Sequence, residues 1–402
     1  MPSSIRKALD ELPTSLDDTY ERALQGIPKE KRQHAHRLFQ CLVVAVRPLH
    51  AEELAEIFAV DFDQGATCGF KEGWRPENPE EAVLSTCSTL ITVIEDESSK
   101  IVQFSHFSVK EFLTSDRLRT SEDGSIRGHH ISLDSANVLL TRACLAVLMQ
   151  LDENVDKTRL ETFPLVSYAA QNWVEHAKYE GVELRVQDTM EEFFNPKRPH
   201  LATWILIHDV VSYSDGGFGF DTFTQHQPSP ETAALFYAAL CGFSRVANYL
   251  VITHAADGIA HYRNRGAPLH VASRRGHAEV VSLLLQHDAD VNLKCTTFGD
   301  WTSLHFVSYL GDAKVAQLLL EHGANINAQT KHHMTPLWFA SFWGRLEVVR
   351  LLLRNGADVH IRHDNGTTPL QKAKEAEHFE VAQLLVDYGA ETDKDGVVKH
   401  RI

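Results

Sequence analysis

The chain has 402 residues, enough for two or three domains, and its 43% hydrophobic content is that of a globular protein with room for real cores. Its net charge is −15, yet residues 231–402 hold 17 Lys+Arg against 18 Asp+Glu, so nearly the whole deficit falls in the first 230 residues. An acidic first half joined to a neutral second part argues against a nucleic-acid partner, because phosphate binding rests on clustered cations. The six cysteines, Cys41, Cys68, Cys87, Cys144, Cys241 and Cys295, form no Cys-x-x-Cys and sit mostly in apolar stretches. That is free, buried thiol usage of a reducing compartment. The opening Met-Pro-Ser-Ser-Ile-Arg-Lys leads into a charged helix and shows no signal peptide. The longest apolar runs, Cys41–Val46 and Trp204–Ile207, are too short to cross a bilayer. A cytoplasmic protein is expected, with the nucleus also open to it.

Residues 1–30 read as a helical lead-in, a helix-turn-helix over 3–25 broken by Pro28. Residues 31–118 read as a winged helix. Apolar residues recur at helical spacing over His34–Val46 until Arg47-Pro48-Leu49 stops them. A second helix runs from His50 to about Val60, residues 63–80 are a loop rich in Gly and Pro, and Val83–Leu90 is the third helix. Ile91–Ile94 and Ile101–Phe104 flank a polar turn and signal a hairpin. Phe107–Leu113 closes the domain. Residues 125–228 form a helical relay, with apolar stretches at 143–151 and 163–177 and with Trp204. Its Asp215-Gly216-Gly217-Phe218-Gly219 has no preceding strand and no following Lys-Ser/Thr, so it is a linker and not a phosphate loop.

Residues 229–396 are periodic. Leu269, Leu304, Leu337 and Leu370 are spaced by 35, 33 and 33 residues. Pro268, Pro336 and Pro369 fit the first turn of a helix, where a missing N–H costs nothing, and Thr302, Thr335 and Thr368 stand ready as N-caps. Leucine triplets at 283–285, 318–320 and 351–353 mark a second helix in each unit. Gly276, Gly311 and Gly344 separate the two helices, and Gly323, Gly356 and Gly389 end the second. A degenerate first unit places Leu235 34 residues before Leu269. The last unit carries Lys372, Lys374 and Glu377-His378 and reads as a polar cap. The period, with Ala-Pro-Leu-His at 267–270 and Thr-Pro-Leu at 335–337 and 368–370, resembles the ankyrin repeat. The expected fold is mainly α: a winged-helix and helical domain followed by an ankyrin-repeat solenoid of about five units.

In such a solenoid the turn tips and the exposed face of each first helix meet partners. The residues mapping there include Arg263, Arg274, Arg275, Trp301, Tyr309, Leu310, Met334, Phe342 and Trp343. Aromatic residues clustered in adjacent units are hot-spot material; the same rings read equally well as packing between repeats. Phe342 and Trp343 directly precede Gly344, where this repeat is normally polar, and are the sharpest candidates.

The segments LPTSLDDTYERAL, RPLHAEELAEIFAVDF, VLSTCSTLITV, SHFSVKEFLTS, ACLAVLMQL and FPLVSYAAQNWVEHA resemble the region after the NTPase in fungal NACHT–ankyrin proteins, which are NLR-like receptors. The resemblance spans about residues 8–395. It implies a relay between an NTPase and sensor repeats. The family's switch needs Gly-x-x-x-x-Gly-Lys-Ser/Thr to cradle phosphates, and that string is absent. The resemblance therefore implies the sensor and relay halves, with an NTPase lying before residue 1 or on a separate polypeptide.

No cofactor, metal or catalytic set is expected. The histidine groups His34/His36, His129-His130 and His332-His333 lack further ligands, and adjacent pairs on a loop should point apart. His270 and His305 occupy the repeat's Pro-Leu-His position, where the ring bonds backbone. His106 with Glu111 reads as a strand-to-helix junction, and Gly-x-Ser-x-Gly is missing. Three functions follow: a non-catalytic protein-binding scaffold, the sensor part of an ATP-dependent switch, or an accessory factor of a biosynthetic pathway.

Overall fold

The computed structural model describes residues 15–64, 68–96, 99–152, 157–207, 230–254 and 267–391. The first part of the lead-in (1–14), the stretch at 215–219, Arg263 and the end of the array (392–396) lie outside the described residues. The chain divides into two compact units, residues 1–222 and 223–402.

The first unit opens on α1 (Leu16–Gln25), capped by the Ser15 hydroxyl accepting from Asp18 N–H at 3.1 Å. Helix α2 (Arg32–Val44) follows, then β1 (Leu49–His50), α3 (Ala51–Ala55), β2 (Val60–Asp61), β3 (Gly69–Phe70) and α4 (Pro79–Cys87). The hairpin strands are β4 (Ile91–Asp96) and β5 (Ser99–Phe104), and α5 (Phe107–Leu113) closes the domain. The sheet is antiparallel in the order β1-β5-β4, with Leu49 opposite Val102 and Ile91 opposite Phe104. Leu38, Phe39, Leu49, Leu54, Val83 and Val102 fill its core. Two expectations need correcting. The helix begun at His50 does not reach Val60: it tightens to a 3-10 turn over Glu56–Ala59, and β-branched Val60 is already extended. Nor is 63–80 only a loop, since Phe70 and Gly69 pair with Val60 and Asp61. Arg75 fastens that excursion, its Nε 2.6 Å from Glu56 Oε1 and its guanidinium over the Phe70 and Phe163 rings.

The rest of the unit is helical: α6 (Asp116–Arg119), α7 (Gly124–Arg127), α8 (Leu133–Leu148), α9 (Lys157–Glu161), α10 (Leu165–Ala177), α11 (Val182–Arg185), α12 (Gln187–Phe193) and α13 (His200–Ile207). Helix α8 is apolar on almost every side because α2, α10, α11 and α12 all pack against it. Its one buried amide, Asn137, belongs to a satisfied chain. Val46 N–H donates to the Tyr168 hydroxyl (3.1 Å), which donates to His176 Nε2 (2.8 Å), and His176 Nδ1–H donates to Asn137 Oδ1 (2.8 Å). Trp173, Phe193 and Trp204 meet edge to face beside it, at 5.3–6.0 Å between ring centres.

The second unit is a stack of helix pairs: α14 (Pro230–Cys241) with α15 (Ser244–Thr253), α16 (Pro268–Arg275) with α17 (Ala278–Gln286), α18 (Ser303–Leu310) with α19 (Ala313–Glu321), α20 (Pro336–Phe342) with α21 (Leu346–Arg354), and α22 (Pro369–Glu375) with α23 (Phe379–Asp387). First helices pack on first helices and second on second, so two parallel layers form. Leu284, Leu319, Leu352 and Leu385, one on each of the last four second helices, are fully buried. Each such side chain contributes roughly 1.5–3 kcal/mol, a gain a lone pair of helices could not collect. Thr335 and Thr368 cap as expected, accepting from Trp338 and Gln371 N–H at 3.2 Å, whereas the Thr302 hydroxyl lies 2.9 Å from His305 Nδ1 instead.

The turn between helices needs a left-handed residue in every unit, and Gly344 provides it at φ 65°. In the last unit Glu377 holds the same place at φ 59°. A side chain there costs about 1–2 kcal/mol. Glu377→Gly should therefore stabilise the array by about 0.5–1 kcal/mol net of glycine's greater freedom when unfolded. The check is a urea titration; an unchanged or lowered midpoint refutes it.

Candidate protein-docking surface

The last three repeats each send out a finger before the first helix. The finger ending at Trp301 is closed by Cys295 N–H to Trp301 O (2.7 Å), the next by Thr330 N–H to Met334 O (3.0 Å), and the last by His363 N–H to Thr367 O (3.0 Å). The tips are joined in series, Lys331 N–H to Gly299 O (2.9 Å) and Asp364 N–H to His332 O (3.3 Å). Gly299, Asp300, His333 and Gly366 turn these tips with positive φ.

Two buried histidines brace the fingers from below. His270 Nδ1 accepts from Ala267 N–H at 2.9 Å and its Nε2–H donates to Leu293 O at 2.8 Å. His305 repeats the arrangement with Thr302 N–H (3.0 Å) and Met334 O (3.1 Å). Burial pushes both imidazoles down to about 4. The geometry agrees, because a proton on Nδ1 would face a backbone N–H.

Above them the aromatic rings form one continuous band. Phe298 lies 6.5 Å from Trp301, Trp301 6.0 Å from Tyr309, Tyr309 5.0 Å from Trp343, and Trp343 5.2 Å from Phe342. Phe342 continues to Trp338 (5.5 Å), which stacks on His363 (5.5 Å). A cation caps each end: Arg274 lies over Phe298 at 5.7 Å and Lys372 Nζ over Trp338 at 6.0 Å. Trp343 is 42% exposed and Leu310 39%. Trp301, Tyr309, Phe342 and Met334 are half-buried, as are Arg274 and Arg275. Trp301 lies 4.4 Å from Phe339 and 5.0 Å from Phe306.

The structure thus brings Arg274, Trp301, Tyr309, Phe342 and Trp343 together. Arg275 is next to the band's first cation in the chain, and Met334 serves the fold through its carbonyl. Trp338 and Phe339 were not singled out from the sequence. Their signal was present, since 338/342 and 339/343 are aromatic pairs at the i,i+4 spacing that shares a helix face. The second helices offer a contrasting face of Glu279, Lys314, Glu321, Glu347, Arg350 and Glu380.

One histidine expectation is overturned. His332 and His333 do not point apart: their Nδ1 atoms lie 3.2 Å and 2.6 Å from the two carboxylate oxygens of Asp364. The left-handed turn at His333, φ 57°, swings both rings to one side. Among the described residues no group of three or more His, Cys, Asp or Glu is placed to hold a metal ion. All six cysteines are buried and unbridged. No described helix is long and apolar enough to cross a membrane.

Comparison with known proteins agrees with this architecture. Residues 206–295 and 293–363 match the family model described as ankyrin repeats. Residues 20–123 match that of the GPI inositol-deacylase winged helix domain. The chain therefore carries a winged-helix domain and ankyrin repeats. Over 298 residues it is 30% identical to the azaphilone pigments biosynthesis cluster protein L of Monascus ruber, an alignment covering 70% of this chain. The chain spans 61% of the length of that relative.

Proposed function

We propose that this protein is a non-catalytic recognition scaffold. The array captures a protein partner on the aromatic band, and the acidic winged-helix and helical unit engages a second component. The carrying observation is the half-exposed row of rings centred on Tyr309 and Trp343, set against a second-helix face of mixed charge. Aromatic residues that are rigid and partly exposed are what protein interfaces use as anchors. Ankyrin repeats suggest protein partners in general. The winged helix suits a structural role better than nucleic acid. The helix before its hairpin starts with Glu80 and Glu81, Glu80 binds Lys100, and the hairpin adds Glu95. A phosphate backbone would meet repulsion there. The site residues of this reading are Arg274, Arg275, Trp301, Tyr309, Met334, Phe342 and Trp343, and its compartment is the cytoplasm.

The test is affinity capture from native extract by the full chain and by Phe342→Ala/Trp343→Ala, with Trp343→Ala alone as the variant least able to disturb the fold. The partner retained by the wild type should fall at least about tenfold on both, as expected for anchors worth more than 1.4 kcal/mol. Undiminished capture removes the assignment.

The relative's name supports a narrower version, an accessory protein of a pigment-type biosynthetic pathway. Deletion of the gene should then alter one class of secondary metabolite, and an unchanged metabolite profile counts against it. The resemblance to NACHT–ankyrin proteins supports another, the sensor and relay part of an NLR-like switch whose NTPase is supplied elsewhere. An in-frame Gly-Lys-Ser/Thr loop upstream in the genomic sequence would favour that version.

A further inference from the structure

The winged-helix domain holds a cavity that the docking reading does not use. It offers about 570 Å³, within the roughly 300–1,000 Å³ of small-molecule sites. Its aromatic walls come from three places. Trp74, with Pro76, belongs to the excursion that Arg75 fastens to Glu56; Phe58 belongs to the 3-10 turn Glu56–Ala59; His34 stands in the first turn of α2. Helix α4 contributes only small side chains there, Ala82, Ser85 and Thr86. The Phe58 and His34 rings meet edge to face at 5.2 Å. The Trp74 indole is 50% exposed and is steadied by Lys71, whose Nζ lies 4.3 Å from the ring centre and 2.5 Å from Asp61.

Lys31 sets the charge of the cavity. Its Nζ donates to Ser85 O at 3.0 Å and meets no carboxylate among the described residues, so two of its three donors are left over. None of the described lining residues is acidic. Glu30 and Glu77 neighbour Lys31 and Pro76 in the chain but do not line the cavity. Glu72 lies 3.3 Å from Arg75, and Glu81 accepts from Asn78 at 3.3 Å. Burial, helped by the charge of Arg37, lowers the pKa of His34, so that ring is neutral at pH 7 and adds no charge of its own. An ammonium without a counter-ion, set among aromatic rings in an otherwise acidic domain, is matched by an anion with a flat apolar body.

We propose that this cavity binds a small planar aromatic carboxylic acid, its rings against Trp74 and Phe58 and its carboxylate on the Lys31 ammonium. The site is independent of the aromatic band of the array. A neutral aromatic molecule of the same size gains the ring contacts without the ion pair, and a cationic one meets Lys31 as a like charge.

Three probes that share one ring system and differ in charge test this: 2-naphthoate, 2-naphthalenemethanol and 2-naphthylmethylammonium, each titrated with the full chain and followed by the NMR signals of the naphthalene protons. The acid should bind about fivefold more tightly than the alcohol, the upper range for a partly exposed ion pair, and the ammonium should bind most weakly. Trp74→Ala should weaken naphthoate at least about fivefold. Lys31→Met should abolish the preference, leaving acid and alcohol alike, while Lys31→Arg keeps it and Trp343→Ala changes nothing. The proposal is overturned if naphthoate shows no binding at millimolar concentration or if the alcohol or the ammonium binds as well as the acid. It is equally overturned if Trp74→Ala leaves naphthoate affinity unchanged or if Lys31→Met still prefers the acid.

Discussion

Between pH 7 and pH 5 each unit should lose roughly 4 kcal/mol of stability, and the loss should begin near pH 6.5. Each unit buries two imidazoles at about 4 instead of about 6.5: His129 and His176 in the first, His270 and His305 in the second. Burial is the leading cause at all four; His129 is lowered further by the charges of His36 and Arg32. When unfolded, each takes up a proton as the pH falls through 6.5; when folded, it does not until about 4. Stability is therefore fully present above 6.5 and drains away towards 4 at up to about 1.4 kcal/mol per pH unit per histidine. Taken to pH 5 that is about 2 kcal/mol for each ring. Hydrogen–deuterium exchange on the full chain reads the two units separately, in peptides from residues 133–177 and from residues 268–342. Protection that is flat from pH 7 to pH 5, after correction for intrinsic exchange, would falsify the assignment of neutral buried rings.

The two histidines of the array make the sharper case, because hydrogen-bond direction demands neutrality independently of burial. His305 Nδ1 receives Thr302 N–H and has the Thr302 hydroxyl at 2.9 Å, so a proton there would confront a backbone donor with no room to turn away. His305→Gln offers an acceptor and a donor without a titratable ring. It should flatten the array's share of the acid loss by about half while lowering its stability at pH 7.

How much of this could be read from residues alone follows from which interactions repeat. Leu284, Leu319, Leu352 and Leu385 solve one burial problem four times at nearly constant spacing, so the stack declares itself through its period. His270 and His305 declare their role in the same way, by recurring at one place in the repeat. The features that stayed hidden each depend on a single local event. Strand β1 is two residues long and exists only because β5 lies beside it. The shared Asp364 contact of His332 and His333 depends on one left-handed residue that His-His does not announce. Exposure within the aromatic group was also illegible. Trp301 and Trp343 look alike in sequence, yet one is half-buried beside Phe339 and Phe306 and the other faces solvent. The aromatic chemistry of the candidate surface was thus visible in composition, while which rings are buried and which exposed is read only from the stack.

Gly344→Ala should unfold the array at markedly lower denaturant than Gly356→Ala, although both place a methyl group on a left-handed residue. At Gly356, φ 85°, nothing lies within 4 Å of the added carbon, so the loss is the conformational penalty alone, about 1–2 kcal/mol. At Gly344, φ 65°, the new carbon falls 2.6–2.8 Å from the His378 ring of the following repeat. That ring must shift or the two repeats must part, which adds about 1–3 kcal/mol of overpacking and brings the total to roughly 2–5 kcal/mol. The contact crosses a repeat boundary, so the effect reaches beyond the mutated unit in a stack where each repeat is held only by its neighbours. Exchange protection in α22 and α23 should fall together with that of α20 and α21. Removing the ring as well separates the two contributions: Gly344→Ala/His378→Ala should recover most of the excess over Gly356→Ala. If the double variant is no more stable than Gly344→Ala alone, the clash with His378 is not the cause.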